Sequence, residues 1–275
     1  MGASRFVLLA IGTCCGLTVQ TASAAPLLLP HRAVYDLSLD KATDRSGING
    51  VSGRMVYEFA GSACEGYTVN FRFVTQIDTD EMSRITDQQT TTFEGGDGTT
   101  FDFVTKSFID EALDSEVKGT ATTSPEGTIV KLQKPEPKEL DLKPTRFPTE
   151  HLLELVGKAK AGENFYETDL FDGSDEASEV MMTSVIVGKA EGVEADDPER
   201  TAMEKLAADK FWPVTIAYFD GKEEEGEETP DYNISFKLHE SGITRDLLMN
   251  YGEFSIKGRL VDLAFFEAPK PCDKN

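Results

Sequence analysis

Histidine, tryptophan, cysteine and positive charge are all scarce in this 275-residue chain, which has three His, one Trp and four Cys. Lys+Arg number 27 against 49 Asp+Glu, for a net charge of −22. That deficit argues against binding DNA, RNA or anionic headgroups, because counterion release needs clustered Lys and Arg. His31, His151 and His239 are dispersed, so no cofactor or transition-metal centre is expected. His151 and Glu154 have a helical spacing that can share a ligand, but no His-Glu-x-x-His arrangement completes it, and a helix-surface residue or a packed imidazole is the better reading. No Gly-x-Ser-x-Gly elbow occurs. Ser38-Leu39-Asp40-Lys41 has a Ser-x-x-Lys spacing, but its Ser ends a strand pattern and the companion motifs are missing. There is no internal repeat of propeller or solenoid type.

The N-terminus has the plan of a secretory signal peptide. Arg5 precedes an uncharged, mostly apolar run from Phe6 to Val19, and Thr21-Ala22-Ser23-Ala24 supplies small residues for cleavage after Ala24. The run falls short of the roughly 20 apolar residues a spanning helix needs. Cys14 and Cys15 match a lipoprotein signal poorly, because Ile11-Gly12-Thr13 lacks the usual leucine-led pattern. No later stretch approaches membrane-spanning length, so residues 25–275 are expected to form one soluble, exported domain in the periplasm.

Removing the leader leaves two cysteines, Cys64 and Cys272. An even pair in an exported chain reads as a structural disulfide. Chain-entropy reasoning puts an upper limit of about 5 kcal/mol on a loop that long. A redox-active pair would want Cys-x-x-Cys spacing and a thiolate-stabilising neighbourhood, which neither position has.

The rest is rich in alternation. A hydrophobic fraction of 39% with 17 Phe and 7 Tyr is too high for a disordered acidic tail. Period-two patterns predict strands at 31–39, 50–60, 66–78, 82–94, 99–107, 112–122 and 127–132. They resume at 163–171, 178–192, 213–219, 231–240, 242–250 and 252–267. In 66–78, Tyr67, Val69, Phe71, Phe73 and Thr75 share one face. Lys134-Pro135-Glu136-Pro137 reads as a stiff connector leading to the one clear helix, near 149–161, with Thr149 as N-cap and Gly162 as its stop. Residues 197–209 read as a short second helix or a hairpin-like excursion.

Thirteen or fourteen strands with one central helix make an all-β protein, a single large antiparallel curled sheet or partly open barrel. An outer-membrane barrel is disfavoured by the charge on the polar faces. A curled sheet with a helix over its mouth encloses a natural cavity. Leu152, Leu153, Leu155 and Val156 are the candidate lid or plug. Trp212, Tyr218, Phe219, Phe265 and Phe266 read first as core. The acidic runs 172–176 and 223–228 read as solvated turns rather than Ca²⁺ loops.

Several blocks together resemble one family. They are His31-Arg32-Ala33-Val34-Tyr35, Cys64-Glu65-Gly66-Tyr67, Phe147-Pro148-Thr149-Glu150-His151-Leu152, Val180-Met181-Met182-Thr183-Ser184, Trp212-Pro213-Val214, Ile243-Thr244-Arg245-Asp246-Leu247 and Tyr251-Gly252. In this order they resemble the EipB family of cell-envelope integrity proteins from alphaproteobacteria. The resemblance implies a periplasmic spiral of about fourteen strands, a disulfide matched by Cys64 and Cys272, and a role in envelope integrity and resistance to envelope stress. It also implies a fold similar to the periplasmic lipoprotein carriers, and it carries no catalytic residues.

The expected function is therefore non-enzymatic envelope maintenance through binding a lipid, an acyl chain or an envelope protein partner. The rivals are a hydrolase of envelope polymers or lipids, and a scaffold that pairs through a sheet edge. The residues leave the oligomeric state open.

Overall fold

The computed structural model describes residues 28–174, 177–219 and 229–267. The expected leader, Cys272, Asp175, Glu176 and the 223–228 acidic run lie outside them.

The first half of the chain is a meander. It runs through β1 (His31–Ala42), β2 (Ile48–Ser62), β3 (Gly66–Thr79), β4 (Ser83–Glu94), β5 (Thr100–Ile109), β6 (Ala112–Ser124), β7 (Gly127–Lys134) and β8 (Lys138–Leu142). Helix α1 (Pro148–Ala161) follows, then β9 (Phe165–Leu170), β10 (Met181–Val187) and the two-residue β11 (Glu191–Gly192). The last strands are β12 (Lys210–Phe219), β13 (Tyr232–His239), β14 (Thr244–Asn250) and β15 (Phe254–Phe265).

These fifteen strands form one sheet in the order β8-β7-β6-β5-β4-β3-β2-β1-β15-β14-β13-β12-β10-β9, with β11 alongside β12. Every ladder is antiparallel. The first and last strands therefore pair in the interior of the sheet, and the middle of the chain supplies both free edges. Helix α1 is the connection between those edges. The segment before it nearly joins them: the Thr123 hydroxyl donates to the Thr145 carbonyl (3.2 Å), and Arg146 bridges β9 in parallel at Leu170. The sheet curls without closing.

Alternation explains the inner face. In β7, Thr128, Val130 and Leu132 are buried while Ile129, Lys131 and Gln133 are exposed. In β5, Phe101, Phe103 and Thr105 point in and Asp102 points out. The β5–β6 turn places Asp110 and Glu111 at φ 47° and 69°, the left-handed pair that a two-residue hairpin matched to strand twist requires.

The elements differ from expectation in four places. The Lys134–Pro137 segment is the turn of a hairpin that leads into β8. With five residues and three charges, that strand is too short and polar to stand out. The expected strand 178–192 is broken into β10 and β11. Pro213 in β12 has no N–H to offer across the gap, and its carbonyl instead accepts Gly188 N–H (2.7 Å). Residues 197–209 form no α-helix, only a 3₁₀ turn at Glu204–Leu206, with Met203 and Leu206 inserted into the core. Finally, Phe147 rather than Thr149 is the N-cap, because Pro148 suits the first helical position and moves the start forward. The stop is as expected. Gly162 sits at φ 79° and its N–H returns to Ala159 O (3.1 Å).

Two hydrophobic clusters result. The larger joins β1–β3, β9, β10 and β12–β15 to the helix through Leu155, Val156 and Ala159. The smaller joins β5–β7 to Phe147, Phe171, Ala177 and Val180, with Leu140 and Leu142 of β8 packed against it.

Candidate functional site: an apolar trough beneath the helix

The four candidate leucine and valine positions separate on the helix. Leu155 and Val156 are fully buried, whereas Leu152 and Leu153 are half-buried. Leu152 and Leu155 line a cavity of about 340 Å³ whose walls include Met55, Phe71, Phe73, Ile216, Ile234, Phe236, Leu247 and Met249. None of its described lining residues is charged. The volume falls in the range of small-molecule and acyl sites. Val156 packs into the core away from it, and Leu153 lines a separate acidic pocket with Glu94, Asp97, Arg146, Glu150 and Glu154.

The cavity continues in both directions. A second space of about 290 Å³ shares Met55, His151, Leu152, Tyr218 and Thr244 with it and adds His31, Tyr35, Tyr57, Asp172 and Tyr232. A third, of about 320 Å³, shares Phe73, Gln88 and Tyr251 and reaches Asp87, Phe108, Asp114 and Phe254. The result is a trough with an apolar middle and polar ends. The face of β3 expected to be dry, carrying Phe71 and Phe73, is half-buried because it borders this space.

Burial sets the electrostatics of the polar end beside the helix. It lowers the His151 imidazole to about 4, with Arg146 adding to the effect, so the ring is neutral. Its Nε2 is buried without a hydrogen-bond partner. His31 is also lowered by burial, partly offset by its hydrogen bond from Nδ1 to Leu29 O (2.7 Å). Burial raises the phenols of Tyr35, Tyr57 and Tyr218 well above their ordinary value. Tyr35 donates to Thr244 O (2.6 Å).

The helix is held over the trough by a residue that sequence patterns do not reveal. Glu94, at the end of β4, accepts Thr149 N–H (2.7 Å) and Glu150 N–H (2.8 Å), so a buried carboxylate from the sheet caps the helix. Burial pushes it up to about 7, against the pull of those bonds and of the Thr149 hydroxyl. Glu199 is its counterpart in the 197–209 excursion. It accepts Leu260 N–H (2.6 Å), Asp246 N–H (3.1 Å) and Arg245 Nη1 (3.2 Å). Arg245, wholly buried, also donates to His239 Nε2 (3.0 Å) and to Asp197 (2.8 Å). Burial raises Glu199 despite these donors. For Asp197, burial is outweighed by the Glu199 N–H and by Arg245, leaving it below the usual carboxylate range.

The other candidates scatter. His31 and His151 both line the polar end, but His239 belongs to the Arg245 cluster. Glu154 pairs with Arg146 at 2.5 Å. Among the described residues no group of His, Cys, Asp or Glu has metal-binding geometry. Tyr218 lines the trough, Trp212 and Phe265 pack against the core, and Phe266 is exposed. Cys64 lies in the β2–β3 turn, and its expected partner Cys272 is outside the described residues. Among the described residues no helix is long and apolar enough to cross a membrane.

Comparisons agree with this architecture. A crystal structure titled as a beta-barrel-like protein of a domain of unknown function, from Brucella abortus, superposes with a TM-score of 0.85 at 56% identity. It covers 88% of this chain and all of that one. The cell envelope integrity protein EipB of Brucella abortus (strain 2308) is 55% identical over 251 residues, 91% of this chain and 89% of that protein. The family model described as EipB-like matches residues 22–267, and the chain belongs to the EipB-like family.

Proposed function

We propose that this protein is a non-enzymatic, periplasmic envelope-integrity protein that works by taking an acyl chain into the trough beneath α1. The observation that carries the reading is the cavity lined by Phe71, Phe73, Ile234 and Leu152, with no charge among its described lining residues, left open where the inner face around Phe101 and Phe103 is filled. Burying an acyl chain there would gain about 0.8 kcal/mol per CH₂ by ordinary hydrophobic transfer. The envelope role is supported by the name of the 55% identical relative, and the exported location by the leader-like residues 1–24. Helix α1 is then a lid whose Leu152 contacts the ligand, rather than a plug. Cys64 pairs with Cys272, tying the C-terminus to the β2–β3 turn.

The two rival readings have less support. The two most buried acids, Glu94 and Glu199, are both occupied by backbone N–H groups. Edge strand β8 carries Lys138, Glu139 and Asp141, charges that blunt strand pairing. The reading is tested by filling the trough. Ile234→Trp should fold, yet fail to restore growth under envelope stress to a strain deleted for this protein. Full rescue by a stably folded Ile234→Trp would sink the acyl-binding reading.

A further inference from the structure

Among the described residues lining the trough's three parts there is no Lys or Arg, while Asp172 stands at the helix end and Asp87 and Asp114 at the other. An ionised carboxylate or phosphate placed here would lose its water and gain no opposite charge from the described lining residues, an expensive transfer. The helix end nevertheless offers unpaired hydrogen-bonding groups. His151, only 6% exposed, has a buried Nε2 without a partner. The Tyr57 and Tyr218 hydroxyls line the same space and make no hydrogen bond among the described residues. A buried group left unsatisfied, as His151 Nε2 is, costs about 1–3 kcal/mol, and a ligand that pairs it recovers that cost.

We infer that the helix end of the trough holds an uncharged, hydrogen-bonding head group next to His151 and Tyr57, so that the ligand class is a neutral acyl ester or long-chain alcohol and not an ionised fatty acid. The inference rests on the acyl reading of the cavity. An ester or hydroxyl can accept from a phenol and pair with a neutral imidazole without bringing charge into the trough. An ionised carboxylate would be placed beside Asp172 with no described Lys or Arg in the lining, so it does not seat against the phenol. The neutral state of His151 follows from its burial, so the imidazole brings no positive charge to this end through the physiological range.

Isothermal titration of the whole exported chain with monolauroylglycerol and with laurate separates the possibilities. At about pH 8, where laurate is ionised, the ester should bind about tenfold more tightly or better, in line with the cost of an unpaired buried charge or polar group. His151→Phe and Tyr57→Phe should each narrow that ratio several-fold by weakening the ester and leaving laurate unchanged. Tyr57→Phe removes one oxygen only, so it remains informative if the histidine variant fails to fold. Laurate binding as tightly as the ester, or a ratio unchanged in both variants, would overturn the inference. Failure of both probes to bind would instead overturn the acyl reading beneath it.

Discussion

Two regions of the same sheet use the same alternation and end in opposite states. Around Phe101 and Phe103 the inner face is sealed: Phe101 stacks on Phe147 at 5.0 Å, and Phe171 meets both strand residues edge-on. All four rings are at most 1% exposed. Around Phe71 and Phe73 the inner face is equally apolar, yet those rings stay half-buried and border open space. The difference lies in what arrives from outside the sheet. The chain entering and leaving the helix delivers Phe147 and Phe171 to the first region, whereas the second receives His151, Leu152 and Leu155 from the helix face. A cavity in a curled sheet thus arises from a shortage of filling elements, not of hydrophobic strands.

Truncations should expose that contrast most strongly. Phe147→Ala should cost about 3–5 kcal/mol, since it opens a void in a sealed cluster, and this is readable as a shift of the denaturant midpoint. Glu94, which fixes the helix between the two regions, should give the next largest effect, and one that depends on pH. Its folded-state pKa of about 7 lies above the unfolded value, so its contribution is fully present below about pH 4.5 and is lost as pH rises through 7. The stability of wild type minus that of Glu94→Gln should therefore fall over that window by on the order of 2–3 kcal/mol. A flat difference curve would mean that Glu94 is ionised throughout. His151 and His239, held near 4, act in the reverse sense: their contribution is present above pH 6.5 and is lost as pH falls. They are common to both proteins and cancel in the difference.

Smaller effects belong to the open region. Phe71→Ala should cost about 1 kcal/mol, well below the sealed-cluster value, because its ring has little packing to lose. A loss matching that of Phe147→Ala would show the trough to be as well packed as the sealed cluster. Ile234→Trp should change stability by less than about 1 kcal/mol, since overpacking is costly only where no space exists. Residues 25–275, denatured without reductant, should show no free thiol; two titratable thiols would remove the proposed Cys64–Cys272 pairing.

Much of the fold was legible because alternation is a local property. Phe101-Asp102-Phe103 and Tyr67 through Thr75 announce strands with one apolar face, and Gly162 announces a helix stop. Strand β8 was hidden by its brevity, and the break after β10 by a proline on the neighbouring strand. The lining of the trough was only half legible. Leu152 and Leu155 were visible as a helical stripe, but which of them meets open space depends on how far the sheet curls. Glu94 and Glu199 were illegible for a stronger reason. Their partners lie 55 and 61 positions away at Thr149 and Leu260, and an acid at the end of a strand looks solvated until those N–H groups are found beside it.

Native mass spectrometry of the protein purified without detergent tests the open trough most directly. The acyl-binding reading predicts adducts that release a neutral acyl lipid on activation and disappear in Ile234→Trp. A clean apo mass, unchanged after incubation with envelope lipids, would contradict it.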